Sequence, residues 1–502
     1  MDGGNTEGNN KGSENLRKIN IRIINNIWAV GDRNDLDVFT DCLYFNDIRV
    51  KQGTFNKEFI EQKYPVFVKT KKFGSNLIGI YTGLLPRLKK FCKEKGYLYN
   101  CDTIPIYPKF QFPELPQVTF SDGRKFEKLR EDQIYHINRA CLYKRGILQG
   151  FTGMGKSLLA MGLMYSHLDS NILFLAHTTG LISQLADDMR DFKCFDFTEM
   201  YGTKKQRREA KIWLSTRQTM ARIVEELGDS ITDKFDVVIC DESHHLSSFN
   251  GEYAEILTKL NAPVRIGLTA TVPKDYTRKR LAMESFLGPV LAEFTIQEGS
   301  NLELLAEPRI CIRKVPFSAH VKNLRKYPEV YEHGVKFNEA ANLLKVNDAA
   351  ELVANDLSVL VFVTNIDHGE QLQRMLRDKL NCFVPFIKGA ISTENRDTLK
   401  ESMKKKEVKC IIANVVWREG INIPSLDVMI NASSSKEEIQ TLQTAGRGLR
   451  KTSEKSEVLI VDYFDNSHYF LTSHFGERLS TYMNEGWEFM SIKEFIKRRK
   501  EK

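Results

Sequence analysis

Short apolar runs alternate with segments of helical period through the middle and C-terminal parts of the chain. Between Gly146 and Thr271 the runs are Gly146-Ile-Leu-Gln149, Ile172-Leu-Phe-Leu-Ala176, Val237-Val-Ile-Cys240 and Val264-Arg-Ile-Gly-Leu268. Stretches such as Ser157 to His167, apolar at every third or fourth position, separate them. Uninterrupted apolar runs of this length read as strands buried on both faces, and the intervening helical stretches predict a parallel α/β sheet. A second set begins at about Glu307, with Val359-Leu-Val-Phe-Val363, Cys382-Phe-Val-Pro-Phe-Ile387, Cys410-Ile-Ile-Ala413, Val428-Met-Ile-Asn431 and Val458-Leu-Ile-Val461. The expected fold class is α/β, with two parallel-sheet lobes in tandem. No internal repeat is evident in the residues themselves.

The flanks differ. Met1 to Asn15 is rich in Gly, Asn and Ser and reads as a disordered tail, without the apolar core of a signal peptide. Residues 16–118 form a separate region, expected as a small α/β accessory domain, and its proline-bearing end from Ile104 to Pro116 reads as a linker. The first lobe is expected over 119–305 and the second over 306–502, with a helical extension from about Asp465 that ends in the basic run Lys497-Arg-Arg-Lys500.

A chain of 502 residues has ample length for several cores, and 42% hydrophobic with 27% charged residues is ordinary for a globular protein. No apolar run approaches the roughly 20 residues of a spanning helix. The nine cysteines include no CxxC pair, which argues against zinc, an iron–sulfur cluster or a disulfide framework and fits a reducing cytoplasm. The net charge of +8 is unevenly spread: residues 51–100 carry eleven Lys or Arg against three Glu. That basic block, interleaved with Tyr and Phe, suits a polyanionic partner such as nucleic acid. A solvated basic face is the plainer alternative.

Candidate chemistry concentrates in the first lobe. Gly150-Phe-Thr152-Gly153-Met154-Gly155-Lys156-Ser157 follows a strand and opens a helix. In that context backbone N–H groups face phosphate oxygens, Lys156 supplies charge to the outer phosphates, and Ser157 can ligate Mg²⁺. Asp241-Glu242-Ser243-His244-His245 ends the apolar run from Phe235 to Cys240, at the edge of a parallel sheet where ligands bind. Asp241 is expected to hold Mg²⁺ through water and Glu242 to polarise an attacking water. His244 and His245 as zinc ligands are disfavoured, because no further ligand lies at a suitable spacing. Gly267-Leu-Thr269-Ala-Thr271 offers hydroxyls that can relay the presence of a γ-phosphate. In the second lobe, Gln443-Thr-Ala-Gly446-Arg447-Gly-Leu-Arg450 sets two arginines three apart, on one face of a helix. Such arginines can serve as fingers on a γ-phosphate. Arg418-Glu-Gly420-Ile-Asn422 supplies polar and backbone groups after a strand.

These elements occur in the order that marks superfamily 2 helicases, and the chain is identified as resembling a DExH-type member of that superfamily over residues 129–450. The resemblance implies two RecA-like lobes with ATP and Mg²⁺ bound between them. It implies catalytic roles for Lys156, Asp241, Glu242, His244, Gln443, Arg447 and Arg450. ATP would be held by Arg130, Gln133, Gly150, Thr152, Gly153, Met154, Gly155, Lys156, Ser157, Gly420 and Asn422, with Mg²⁺ on Ser157 and Asp241. Leu129-Arg130-Glu-Asp-Gln133 is similar to the adenine-reading segment. Ala176 to Gln184, Tyr201-Gly202 and Ser215 to Gln218 are similar to segments that touch the nucleic-acid backbone, which implies Thr178, Thr179, Gln184, Gly202, Thr216 and Gln218. The sequence departs from the family at Glu131-Asp132, at His177 where proline is common, at Asn414 and at Thr444.

Within the superfamily the chain looks most like the phage UvsW type of branched-DNA helicase. That likeness rests on Val66-Phe-Val-Lys69-Thr-Lys71-Lys72-Phe-Gly74, Gly83-Leu-Leu-Pro86 and Leu88 to Tyr97, a strand, turn and basic helix ahead of the motor. It implies Lys69, Lys71, Lys72, Lys89 and Lys90 as DNA contacts. The function it implies is an ATP-dependent motor that unwinds, reanneals or migrates forks and junctions, with DNA and in some cases RNA–DNA hybrids as partners. Such a motor is expected to work as a monomer in the cytoplasm, the host's if it is phage-encoded. An RNA helicase, or a nucleotide-gated DNA-binding scaffold that hydrolyses ATP without unwinding, are the alternatives.

Overall fold

The computed structural model describes residues 16–52, 57–69, 73–102, 106–150, 154–202, 209–295, 298, 306–388, 398–399, 401–403, 405–414, 426–434 and 457–501. Its N-terminal part holds β1 (Lys18–Ile23), β2 (Trp28–Asp32), β3 (Tyr44–Gln52), β4 (Lys57–Pro65), β5 (Leu77–Tyr81) and β6 (Leu98–Asp102). Four of these form one sheet in the order β5-β2-β1-β6, and β3 and β4 pair separately as an antiparallel ribbon. Alternate residues of β1 enter the core: Ile19 and Ile21 are buried between exposed Lys18, Asn20 and Arg22. The helix Leu85–Glu94 closes that core with Leu85, Leu88 and Cys92, and Lys89, Lys90 and Lys93 point to solvent. The expected strand at Val66–Lys69 is reduced to a single bridge, Val68 to Gly79.

The proline-bearing stretch has no regular structure from residue 106 to 117, as expected of a linker, yet it is packed down. Gln111 N–H donates to Ser166 O at 2.9 Å and Gln111 Nε2 to Tyr165 O at 3.0 Å. A short hairpin, β7 (Val118–Thr119) and β8 (Lys125–Phe126), comes next.

The first lobe comprises β9 (Arg145–Gly150), β10 (Ile172–Ala176), β11 (Phe197–Met200), β12 (Ile212–Thr216), β13 (Val237–Cys240), β14 (Val264–Thr269) and β15 (Val290–Phe294). The second comprises β16 (Glu307–Lys314), β17 (Val359–Val363), β18 (Phe386–Ile387), β19 (Cys410–Asn414), β20 (Val428–Asn431), β21 (Glu457–Phe464) and β22 (Glu488–Phe489). The sheet orders are β11-β12-β10-β13-β14-β9-β15 and β18-β19-β17-β20-β21-β16-β22, the same permutation twice, with every pairing parallel. This is the expected tandem of RecA-like lobes. The central strands are buried on both faces, as the continuous apolar runs required: all residues of β10, β13, β17, β19 and β20 are buried.

The C-terminal extension is helical, Tyr469–Asn484 and Ile492–Glu501, and it is built into the second lobe. It supplies the edge strand β22 and the core residues Ile492, Phe495 and Ile496. Arg478 on its first helix donates to Asp462 Oδ2 at 2.8 Å, fully buried, and Tyr482 OH donates to the same oxygen at 2.8 Å. The accessory domain packs on the first lobe. Arg145 at the start of β9 donates to Asn26 O and Thr82 Oγ1, both at 2.5 Å, and Asn26 Nδ2 donates to Asn261 O at 2.8 Å.

Candidate active site

A parallel sheet leaves its ligand edge where the strands end, and β9, β13 and β14 end together because β14 lies between the other two. The glycine loop leaves β9 there and re-enters helix at Lys156. Gly155 is required by its backbone, and at Gly150 a side chain would displace Met154. Gly155 has φ +90°, and a Cβ there would lie 2.6 Å from Gln133 Nε2; a Cβ on Gly150 would lie 2.0 Å from Met154 Sδ.

Arg130 and Gln133 act on the loop's backbone. Gln133 is 1% exposed; its Nε2 donates to Met154 O at 2.9 Å, and its Oε1 accepts the Arg130 N–H at 3.1 Å. Arg130 Nη2 donates to the same Met154 carbonyl at 2.7 Å and, with Nε, forks onto Asp132 at 2.9 Å. Asp132 thus holds the arginine, a role the family pattern gave no hint of.

Lys156, on the helix after β9, reaches Glu242, after β13, at 2.5 Å. Burial alone would raise the Glu242 carboxyl, but the Lys156 ammonium and the His244 imidazole outweigh it and hold the group well below the usual carboxylate range. Glu242 sits in the left-handed region, φ +45°, a conformation costing on the order of 1–3 kcal/mol for a non-glycine residue. The turn is held by Asp241, whose N–H donates to Leu175 O at 2.8 Å and whose Oδ1 accepts the Glu242 N–H at 2.9 Å. His244 Nδ1 lies 3.4 Å from Glu242 Oε2 and 3.1 Å from Thr269 Oγ1. Thr269 Oγ1 donates in turn to Thr271 O at 2.9 Å. Thr269 therefore belongs to the site, and the Gly267-Leu-Thr-Ala-Thr271 pattern was its signal.

Beside this cluster, β10 and β12 pair with Ala176 opposite Thr216. Each leads into a helix capped by a threonine. Thr178 Oγ1 accepts the Leu181 N–H at 3.4 Å, and Thr216 Oγ1 accepts the Thr219 N–H at 3.3 Å. Two helix N-termini are thereby set side by side, with Thr179, Gln184 and Gln218 exposed around them. Gly202 comes after β11 with φ +54° and an open Cβ direction. Ser157 lies one residue beyond Lys156, on the same helix.

Lys69, Lys89 and Lys90 are exposed on the accessory domain, away from the cluster in sequence and on separate elements. Thr152, Gly153, Gly420, Asn422, Gln443, Arg447, Arg450, Lys71 and Lys72 lie outside the described residues. Sequence reasoning missed the pairing of His177 with His245, whose rings stack at 4.0 Å with 7° between planes. The two lie far apart in the chain, and no spacing signals the contact.

Residues 126–274 match the family described as "Type III restriction enzyme, res subunit", and residues 339–452 match "Helicase conserved C-terminal domain", together just over half of the chain. The chain is 24% identical over 412 residues to the ATP-dependent DNA helicase UvsW of Enterobacteria phage T4, covering 77% of this chain and 79% of that one. It is 25% identical over 342 residues to a Rad25 protein of Haloarcula marismortui, covering 66% of this chain but only 52% of that protein. Among solved structures, the ATP-dependent Type ISP restriction-modification enzyme LlaBIII bound to DNA aligns with a TM-score of 0.54 at 17% identity, over 72% of this chain and 30% of that one, which shows a shared fold. With its two RecA-like sheets and both family matches, the chain belongs to superfamily 2 of the helicases and is an ATP-hydrolysing enzyme.

Proposed function

We propose that this enzyme is a DNA-dependent motor acting on branched DNA, in which closure of the two lobes on ATP drives alternating grip on the phosphate backbone. In this reading Lys156 binds the outer phosphates of ATP, and Glu242 takes a proton from the attacking water. Arg130, Gln133 and Met154 shape the loop that receives the nucleotide, and Arg447 and Arg450 are the arginine-finger candidates of the second lobe, with Gln443, Gly420 and Asn422 as further candidates for the nucleotide. Ser157 and Asp241 offer hard oxygen donors suited to Mg²⁺, and among the described residues no group of three or more His, Cys, Asp or Glu forms a self-sufficient metal cage. A cation held by these two residues would supply positive charge to offset that on the transferred phosphate.

The observation that carries the reading is the Lys156–Glu242 contact, with His244 and Thr269 behind it. It ties the phosphate-binding cation to the water-activating carboxylate and to the strand end next in the sheet. The paired helix N-termini at Thr178 and Thr216 support a nucleic-acid backbone running along the same edge. The docked accessory domain, with exposed Lys69, Lys89 and Lys90, supports contact with a second DNA arm.

The test is a panel of single-stranded, duplex and forked DNA and RNA, scored for ATPase stimulation and for strand displacement or rewinding. Forked DNA should stimulate most and should be remodelled. Stimulation by RNA alone would move the assignment to an RNA helicase. ATPase on forks without displacement or rewinding would leave a motor that does not unwind.

A further inference from the structure

Three histidine rings join the nucleic-acid edge of the first lobe to its catalytic carboxylate. His177 comes immediately after β10 and immediately before Thr178, the cap of the Thr179–Phe192 helix. Its ring lies flat on His245 at 4.0 Å and 7°. His245 in turn lies 4.3 Å from His244 at 35°. His244 touches both Glu242, at 3.4 Å, and Thr269, at 3.1 Å. The column is short because β10 and β13 are direct neighbours, with Leu175 opposite Cys240, so the turns leaving the two strands sit one over the other.

We infer that His177 is a positioning residue for ATP hydrolysis: its stack on His245 carries the occupancy of the Thr178 helix N-terminus to Glu242. The inference rests on the DNA-dependent reading above. A phosphate drawn to the N–H groups at the start of that helix pulls on the turn Ala176-His177-Thr178, held on one side by the pairing of Ala176 with Thr216 and on the other by the Thr178 cap. The next rigid body that His177 meets is the His245 ring, on the single turn of 3₁₀ helix, Ser243–His245, directly after Glu242. Glu242 is in a strained backbone conformation, so a small displacement of this turn reorients its carboxylate relative to Lys156. The coupling needs ring stacking and no proton transfer, because the contact between His177 and His245 is face to face.

The experiment uses the full chain with and without forked DNA. His177→Ala should leave DNA-free ATPase and the KM for ATP within about twofold, while DNA-stimulated kcat falls about tenfold, a typical size for coupling between two sites. DNA affinity, measured by anisotropy, should change less than the stimulation. His177→Phe, which keeps a flat ring on His245, should restore most of the stimulation. In His177→Ala/His245→Ala the loss of stimulation should be well short of the sum of the two single losses, since either substitution interrupts the same column. Stimulation that survives His177→Ala overturns the relay. So does a loss that tracks DNA affinity in parallel, or a failure of the Phe variant to rescue while it remains folded by circular dichroism. If the unsubstituted enzyme shows no DNA stimulation, the DNA-dependent reading itself falls; if it does and His177→Ala matches it, only the relay falls.

Discussion

Lys156 and Glu242 neutralise one another across 2.5 Å, so in the proposed function a nucleotide separates them before either works. This sets opposite expectations for binding and turnover on Glu242→Gln. The amide keeps the shape of the side chain and releases the ammonium to phosphate, so ATP should bind severalfold tighter. With no base for the attacking water, kcat should fall by about 10²-fold or more. An equilibrium ATP titration beside a turnover assay checks both, and weaker ATP binding in the variant would refute the competition. The linkage has a definite sign. Because the folded carboxyl is held below its unfolded value of about 4.3, its contribution to stability is present above that pH and is lost only as pH falls through the lower folded value. In the nucleotide-free protein Glu242 therefore stays ionised through the neutral range, for as long as Lys156 remains beside it.

At the scale of elements, β10 and β12 lie side by side, and each feeds a threonine-capped helix whose N-terminus opens on the proposed DNA path. Thr216→Ala should cost about 1 kcal/mol in chemical denaturation through the lost cap, with Thr216→Ser close to the parent. Binding to single-stranded DNA should weaken, but the slope of log affinity against log salt should hold, because a hydroxyl releases no counterion. Lys89→Ala with Lys90→Ala should instead flatten that slope by one to two units if both touch phosphate. A flat response to the lysine pair would remove that helix from the footprint. The same elements show what the sequence made legible. Strands buried on both faces, such as β10, β13, β17 and β20, were readable almost to the residue, because burial on both faces selects nearly continuous apolar runs. β11, with alternating burial in Phe-Thr-Glu-Met, and β22, with both residues exposed, carry no such run and were not readable. The glycine loop and the Asp241-Glu242 turn were legible because their chemistry is local. The duplicated sheet order and the His177–His245 stack were not, since they arise from contacts between distant segments and leave no spacing in the chain.

At the scale of the whole molecule, the accessory domain and the first lobe share a closely packed interface. Gly83 shows how tight: a Cβ there would lie 2.0 Å from Glu284 O and 2.6 Å from Ser285 O, both backbone atoms. Next to it, Arg87 bridges Asp275 at 2.5 Å and Glu284 at 2.8 Å, and Tyr276, at φ +57°, stacks on Tyr44 at 4.9 Å while its carbonyl accepts the Asn46 N–H at 2.8 Å. Asp275 and Tyr276 lie a few residues beyond the Thr269-Ala-Thr271 turn, so the base of the β3–β4 ribbon is fastened just past the candidate catalytic cluster. In the proposed function, an accessory domain that rides on one lobe converts each closure into a push on a second DNA arm. Gly83→Ala should leave the catalytic cluster intact and loosen this joint. Single-stranded-DNA-stimulated ATPase should stay within about twofold, while fork remodelling drops several-fold and the region around residues 106–117 becomes more readily cleaved in limited proteolysis. Remodelling that falls only in proportion to ATPase would mean that the joint serves stability and that the work on the fork is done by the two lobes alone.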